Sequence, residues 1–262
     1  MAIAGKGGTG KSTLAGILAH LFQGHGFKVL AVDADPDANL ASALGVPRDE
    51  ARRIKPISVQ RELIKERTGA SPSQFGQLFK LDPTVADIPD EYSLTFRGIK
   101  LLVMGAVRRG GSGCACPENV LLRSLLTEII LNRDEVVIVD MEAGIEHLGR
   151  GTARSITRML IMVEPGSRSI STAQTIMKLA RDIGVSSFGV VGNKIQSEDE
   201  REWIMDQFPK DLILGMIPYH ETILEADQQE QPLIDLLDDT LKQAFDGIFK
   251  TLLADHPATL SR

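Results

Sequence analysis

GKGGTGKS (5–12) follows the short apolar run AIA (2–4) and leads into Leu14, Ile17, Leu18, Leu21 and Phe22. Those five recur at helical spacing up to Gly24 and Gly26, so the octet sits between a strand and a helix. In that context the G-x-x-x-x-G-K-[ST] pattern has a physical meaning. Glycines let successive backbone N–H groups curl around phosphate oxygens, and the helix that begins near Lys11 turns its positive end to the same anion. Gly5, Gly7, Gly8, Thr9 and Gly10 form the cradle. Lys11 reaches the β- and γ-phosphates, the Ser12 hydroxyl is placed for magnesium, and Thr13 for the α-phosphate.

Outward from the loop, apolar runs alternate with helical patterns. KVLAV (28–32), IKLLVM (99–104), EVVIVD (135–140), MLIMVE (159–164), FGVVGNK (188–194) and LILGMIP (212–218) read as strands, and 118–131 and 169–183 as helices. Ile234, Leu237, Leu241, Phe245, Ile248 and Leu252 mark a last helix that faces a core. Unbroken apolar strands separated by helices imply an α/β fold with a mainly parallel sheet covered on both faces. Residues 48–98, rich in proline and charge, read as surface helices and loops. No linker or repeat divides the chain, so the expectation is one domain over 1–262. Only four residues precede Gly5, which predicts a short first strand or a start further upstream.

Composition limits the function. A net charge of −6 argues against a broad nucleic-acid footprint. No apolar run approaches a membrane span, and the N-terminus lacks the layout of an export signal. With two cysteines, the expected setting is a reducing cytoplasm.

Carboxylates near a γ-phosphate can hold magnesium and orient water. In AVDADPDANL (31–40), Asp33 and Asp35 stand two apart past a strand end and can point into one cleft; a plain Asp/Pro turn is the alternative. Asp140 closes the strand of VVIVDMEAGIEH (136–147) and is expected to hold magnesium through water. Glu142, Gly144 and the stretch to Gly151 would reshape when phosphate leaves. Asn193 ends another strand, and its amide suits an adenine edge; Pro218, with Tyr219 after it, could cover the base.

Cys114 and Cys116 are the only cysteines and lie in GSGCACPENVLL (111–122). Two thiolates do not complete a tetrahedral metal site, and a disulfide this short would be strained. A two-fold axis could bring two pairs around one ion. Cys116 precedes Pro117, a natural first helical residue, and a helix N-terminus favours thiolate. Small buried thiols are the bland alternative, and His147 could lie near in space.

The KGGxGK arrangement resembles the deviant Walker A motif of MinD/ParA/NifH ATPases. That resemblance implies ATP as ligand, Lys6 acting across a homodimer on the partner's nucleotide, Lys11 acting in cis, Asp35 orienting water, and Asn193 in an adenine pocket. GKGGTGKST, DADPDANL, GCACPENVLLRSLL, DMEAGIEHLGRGTA, VEPGSRSISTAQ and IPYHETILEADQQEQPL together resemble the CooC family. The resemblance implies an accessory ATPase for nickel insertion into carbon monoxide dehydrogenase or acetyl-CoA synthase, with nickel or zinc at a CxC site shared by two subunits. Two rival readings share the loop. A MinD- or ParA-type positioning ATPase needs a basic amphipathic membrane tail or basic DNA patches; the tail of this chain is mixed in charge and reads as a core-facing helix, and the overall charge opposes DNA binding. A NifH-like iron–sulfur reductase draws its thiolates from two separated positions.

Overall fold

The computed structural model describes residues 1–35, 37–71, 77–105, 116–142, 150–229 and 231–254. Along the chain run β1 (Ala2–Gly5), α1 (Lys11–Gly24), β2 (Val29–Ala34), α2 (Leu40–Ala43), α3 (Arg48–Ala51), α4 (Arg61–Thr68), α5 (Ile88–Tyr92), β3 (Leu94–Phe96) and β4 (Ile99–Val103). Then come α6 (Pro117–Asn132), β5 (Val136–Met141), α7 (Arg150–Arg154), β6 (Met159–Val163), α8 (Ser167–Ile183) and β7 (Phe188–Ile195). The chain continues with α9 (Glu198–Met205), β8 (Ile213–Pro218), α10 (Glu221–Gln229) and α11 (Asp239–Ala254).

Among the described residues, eight strands form one sheet in the order β3-β4-β2-β5-β1-β6-β7-β8. All neighbours are parallel except β3 and β4. Period-two alternation sends side chains to opposite faces. Ala2 and Ala4 of β1 join Val32, Val139 and Ile161 on one face, under α6 and α8. Ile3 joins Ala31, Ile138 and Leu160 on the other, under α1 and α11. Both faces are therefore dry, as unbroken apolar strands require.

The short first strand is no weakness. All four residues of β1 are buried, and it pairs with β5 on one side and β6 on the other. Centrality compensates for length: Ala2 and Ile3 have partners in both neighbouring strands, and Ala4 and Gly5 have partners in β6. The 48–98 segment departs from its expected surface character. Ile57, Leu63, Ile64, Val85 and Ile88 are buried against α6 and the sheet, and β3 is an antiparallel edge strand. Charged neighbours such as Arg61, Glu62 and Lys65 dilute that apolar signal in the sequence. Met159–Val163, Phe188–Ile195 and α8, closed by Gly184 in the left-handed conformation, match their sequence patterns within two residues.

Candidate nucleotide site

The ends of β1, β2, β5, β6 and β7 converge on the Lys6–Gly10 loop. Parallel sheets place ligands beyond the carboxyl ends of strands, where strand order reverses. Here the order turns at β1: β2 and β4 lie on one side of it, and β6, β7 and β8 follow on the other.

The loop is braced from within and from β7. Thr9 is fully buried, and its Oγ1 donates to the Lys6 carbonyl at 2.7 Å. Asn193 Nδ2 donates to the Thr9 carbonyl at 2.8 Å, while its Oδ1 accepts from the Lys194 amide at 2.9 Å. Gly10 has φ +90°, and a Cβ there would collide with the Asn193 amide nitrogen. Glycine is needed at this position for conformation and for space at once. Asn193 thus sits beside the loop, and its amide there serves as a strut.

Lys11 opens α1 and is 7% exposed. Its Nζ lies 3.8 Å from Asp35 Oδ2, the carboxylate being nearly as buried. The two aspartates of DAD differ. Asp33 is fully buried and accepts from the Asp35 amide at 3.2 Å and the Leu40 amide at 3.0 Å. It shapes the turn that carries Asp35 toward Lys11. Register places Asp33 directly beside Asp140 on β5.

Asp140 is fully buried, and among the described residues neither carboxylate oxygen has a hydrogen-bond partner. Burial pushes its pKa up to about 6. The Ser12 hydroxyl, close by without closing a bond of ordinary geometry, and the Lys11 charge oppose that rise. Burial likewise pushes Asp33 up to about 7, against its amide bond from Leu40. Buried polar atoms normally have partners. Two orphaned carboxylate oxygens beside a hydroxyl form an all-oxygen donor set, which fits magnesium. Ser12 and Thr13 lie in the first turn of α1.

Pro218 ends β8 opposite Ile195, with Tyr219 exposed beyond it and bound through its amide to the Ile195 carbonyl at 2.9 Å. Cys116 is the N-cap of α6, half-buried, with extended backbone, and Pro117 is the first helical residue. Cys114, Gly144 and His147 lie outside the described residues; so does all of the reshaping segment except Glu142 and the start of α7. Two charged residues had no role in the sequence reading, Glu164 after β6 and Lys194 in β7. Lys194 Nζ donates to the Gly8 carbonyl at 2.8 Å. The available signal was positional: both are charges at the carboxyl ends of strands in a parallel sheet.

Residues 1–233 match the CobQ/CobB/MinD/ParA nucleotide binding domain family. The chain is 48% identical to the carbon monoxide dehydrogenase accessory protein CooC of Rhodospirillum rubrum, over 90% of this chain and 89% of that one. An uncharacterised ATP-binding protein of Methanocaldococcus jannaschii is 43% identical over 97% of each. Among solved structures, a plasmid partition protein of Borrelia burgdorferi bound to AMPPNP superposes with a TM-score of 0.71 at 19% identity, covering 97% of this chain and 98% of that one. The last likeness concerns the fold alone.

Proposed function

The chain belongs to the CobQ/CobB/MinD/ParA nucleotide binding domain family of ATPases, with CooC among its near relatives, and from that premise we propose that it is an ATP-driven metallochaperone. It works as one P-loop domain over 1–262, pairs as a homodimer in the cytoplasm, and carries nickel or zinc at a site shared by Cys114 and Cys116 of two protomers. Its client is carbon monoxide dehydrogenase or the related acetyl-CoA synthase. The single observation that carries this reading is 48% identity to CooC along nine-tenths of the chain.

The residues divide the work as follows. The loop amides of Gly7 to Gly10 and the positive end of α1 bind the phosphates. Magnesium, held by Asp140 and the Ser12 hydroxyl, would screen the phosphate charge. Lys11 neutralises the β- and γ-oxygens once its ammonium turns from Asp35, and Asp35, released in the same movement, orients the attacking water. Asp33 fixes the turn that aims Asp35. Lys6 completes the partner's site. Asn193 braces the loop and offers its remaining amide hydrogen and lone pair to the adenine edge, with Pro218 beside it.

Asp140 links nucleotide to metal through the chain itself. It lies one residue before the end of β5, which follows α6, and α6 carries Cys116 at its N-cap. Thr127 of α6 and Thr152 of α7 share a hydrogen bond of 2.7 Å, so the two segments flanking β5 touch directly. Motion after Asp140 can therefore reach the cysteine end of α6.

Titration of nickel and zinc into the protein, with and without a non-hydrolysable ATP analogue, tests the reading. The expected result is one ion per dimer, an affinity that changes with nucleotide, and loss of binding in the Cys114→Ser, Cys116→Ser double variant. Affinity should also fall at acid pH, where protons compete for thiolate. One ion per monomer would overturn the shared site, and unchanged binding in the double variant would overturn the cysteine site.

A further inference from the structure

Glu164 follows β6 immediately, and its backbone is fixed: the amide donates to Oγ of the buried Ser169 at 3.0 Å. Its carboxylate lies between two lysines that come from distant parts of the chain. Oε1 is 3.8 Å from Lys6 Nζ, and Oε2 is 3.2 Å from Lys194 Nζ. Lys194 has φ +60°, uncommon for a residue with a side chain, and that bend brings its ammonium to the Gly8 carbonyl as well. The three side chains are 25%, 42% and 46% exposed, for Glu164, Lys6 and Lys194 in turn. Ion pairs this wet are weak and break readily. They suit a contact that must open.

We propose that Glu164 is a positioning residue that retains Lys6 over its own phosphate loop and so sets the threshold for pairing of two protomers. The proposal rests on the reading that Lys6 acts across a homodimer. In the single chain, Lys6 is bound by its own Glu164. When Lys6 leaves for the partner's nucleotide, Lys194 remains at the carboxylate, so no charge is stranded and the retention can reform. Lys194 also prevents Lys6 from being held too firmly, because the two ammonium groups share one acceptor.

An exposed pair is worth about 1.4- to 5-fold in an equilibrium. A symmetric dimer opens two of them. Glu164→Gln, which keeps shape and removes charge, should therefore tighten the dimer by roughly 2- to 25-fold. The measurement is the dimer dissociation constant by sedimentation, with magnesium and a non-hydrolysable ATP analogue, for the parent, Glu164→Gln, Lys6→Ala and the double variant. Glu164→Gln should have no effect in the Lys6→Ala background. Lys194→Met, which leaves Glu164 with Lys6 alone, should weaken the dimer.

Glu164→Gln that dimerises no better than the parent, while Lys6→Ala dimerises worse, would overturn the retention and leave the trans lysine standing. Equal tightening by Glu164→Gln with and without Lys6 would show an effect that bypasses Lys6, and would also overturn it. Lys6→Ala that dimerises like the parent would remove the trans reading and the retention together.

Discussion

Burial of Asp140 works against the stability of the folded chain. Its carboxylate is dry, has no hydrogen-bond partner among the described residues and has its pKa raised to about 6, so above that pH folding carries a charge it disfavours. The folded pKa lies above the unfolded one, so this penalty is full above the folded value and vanishes below about pH 4. Asp140→Asn should therefore raise the stability of the nucleotide-free protein at pH 8 by about 1–3 kcal/mol, and by little at pH 4. The same variant should lose hydrolysis, because an amide neither attracts a cation nor takes its place in the donor set. Thermal melting of both proteins at the two pH values checks the first part, and phosphate release the second. A variant that melts lower than the parent at pH 8 would contradict the account. A functional group retained at the expense of stability is common where chemistry needs it.

At the scale of elements, a charged staple holds the end of the sheet remote from the loop. Arg133, after α6, binds Asp90 of α5 through both terminal nitrogens at 2.9 Å and also binds Glu135, while Lys100 of β4 binds both carboxylates. The Arg133 hydrogen bond, ahead of Lys100, holds Asp90 well below the usual carboxylate range and lowers Glu135 too. Depressed carboxylates stabilise the fold above their unfolded values and lose that contribution as pH falls below about 4. Arg133→Met should cost on the order of 1 kcal/mol at pH 7, since Asp90 is half exposed and solvent screens part of the network. The deficit should shrink toward pH 2. Urea unfolding across that range measures it, and a deficit constant with pH would assign the effect to packing.

This staple was not legible in the sequence. Asp90, Lys100, Arg133 and Glu135 form no local pattern, because their meeting depends on strand order. The same holds for Glu164 and Lys194, which have no local pattern. In contrast, β5, β6, β7 and α8 were legible, since a dry strand or a helix closed by glycine leaves a contiguous signature. The loop was legible for the same reason: its glycines, lysine and hydroxyl occur in one octet. Asp33 was found but its geometry was not, because the bonds to its oxygens come from the backbone of Asp35 and Leu40. β3 escaped notice because three residues at an edge carry too little pattern, and Ile57, Leu63, Ile64 and Ile88 because the charges around them hid their helical and turn context.

Across the whole molecule, one sheet is shared by two apolar layers. α6 and α8 cover one face, α1 and α11 the other, and the strands contribute alternate residues to both. Neither layer can melt without exposing strand residues that the other needs. Phe245 of α11 is fully buried in the second layer, which also holds Leu18, Leu241 and Phe249. Phe245→Ala should destabilise the protein by about 3–5 kcal/mol. It should still give a single unfolding transition, seen alike by far-ultraviolet dichroism and by fluorescence of Trp203 on α9. Separate transitions from the two probes would mean that the layers unfold independently.

The fit of Asn193 over Gly10 also constrains how the chain can change through descent. The two positions are 183 apart in sequence yet occupy one volume, so neither can drift without the other. Even a paired change meets the +90° φ at position 10. Gly7 is different, because a Cβ there would meet nothing within 4 Å of the protein itself. A lineage in which position 10 stays fixed would be obeying its own architecture. One in which position 7 stays fixed would be obeying whatever approaches the loop from outside, whether nucleotide or second protomer. Comparing the variation accepted at those two positions would separate inherited constraint imposed by the fold from constraint imposed by its company.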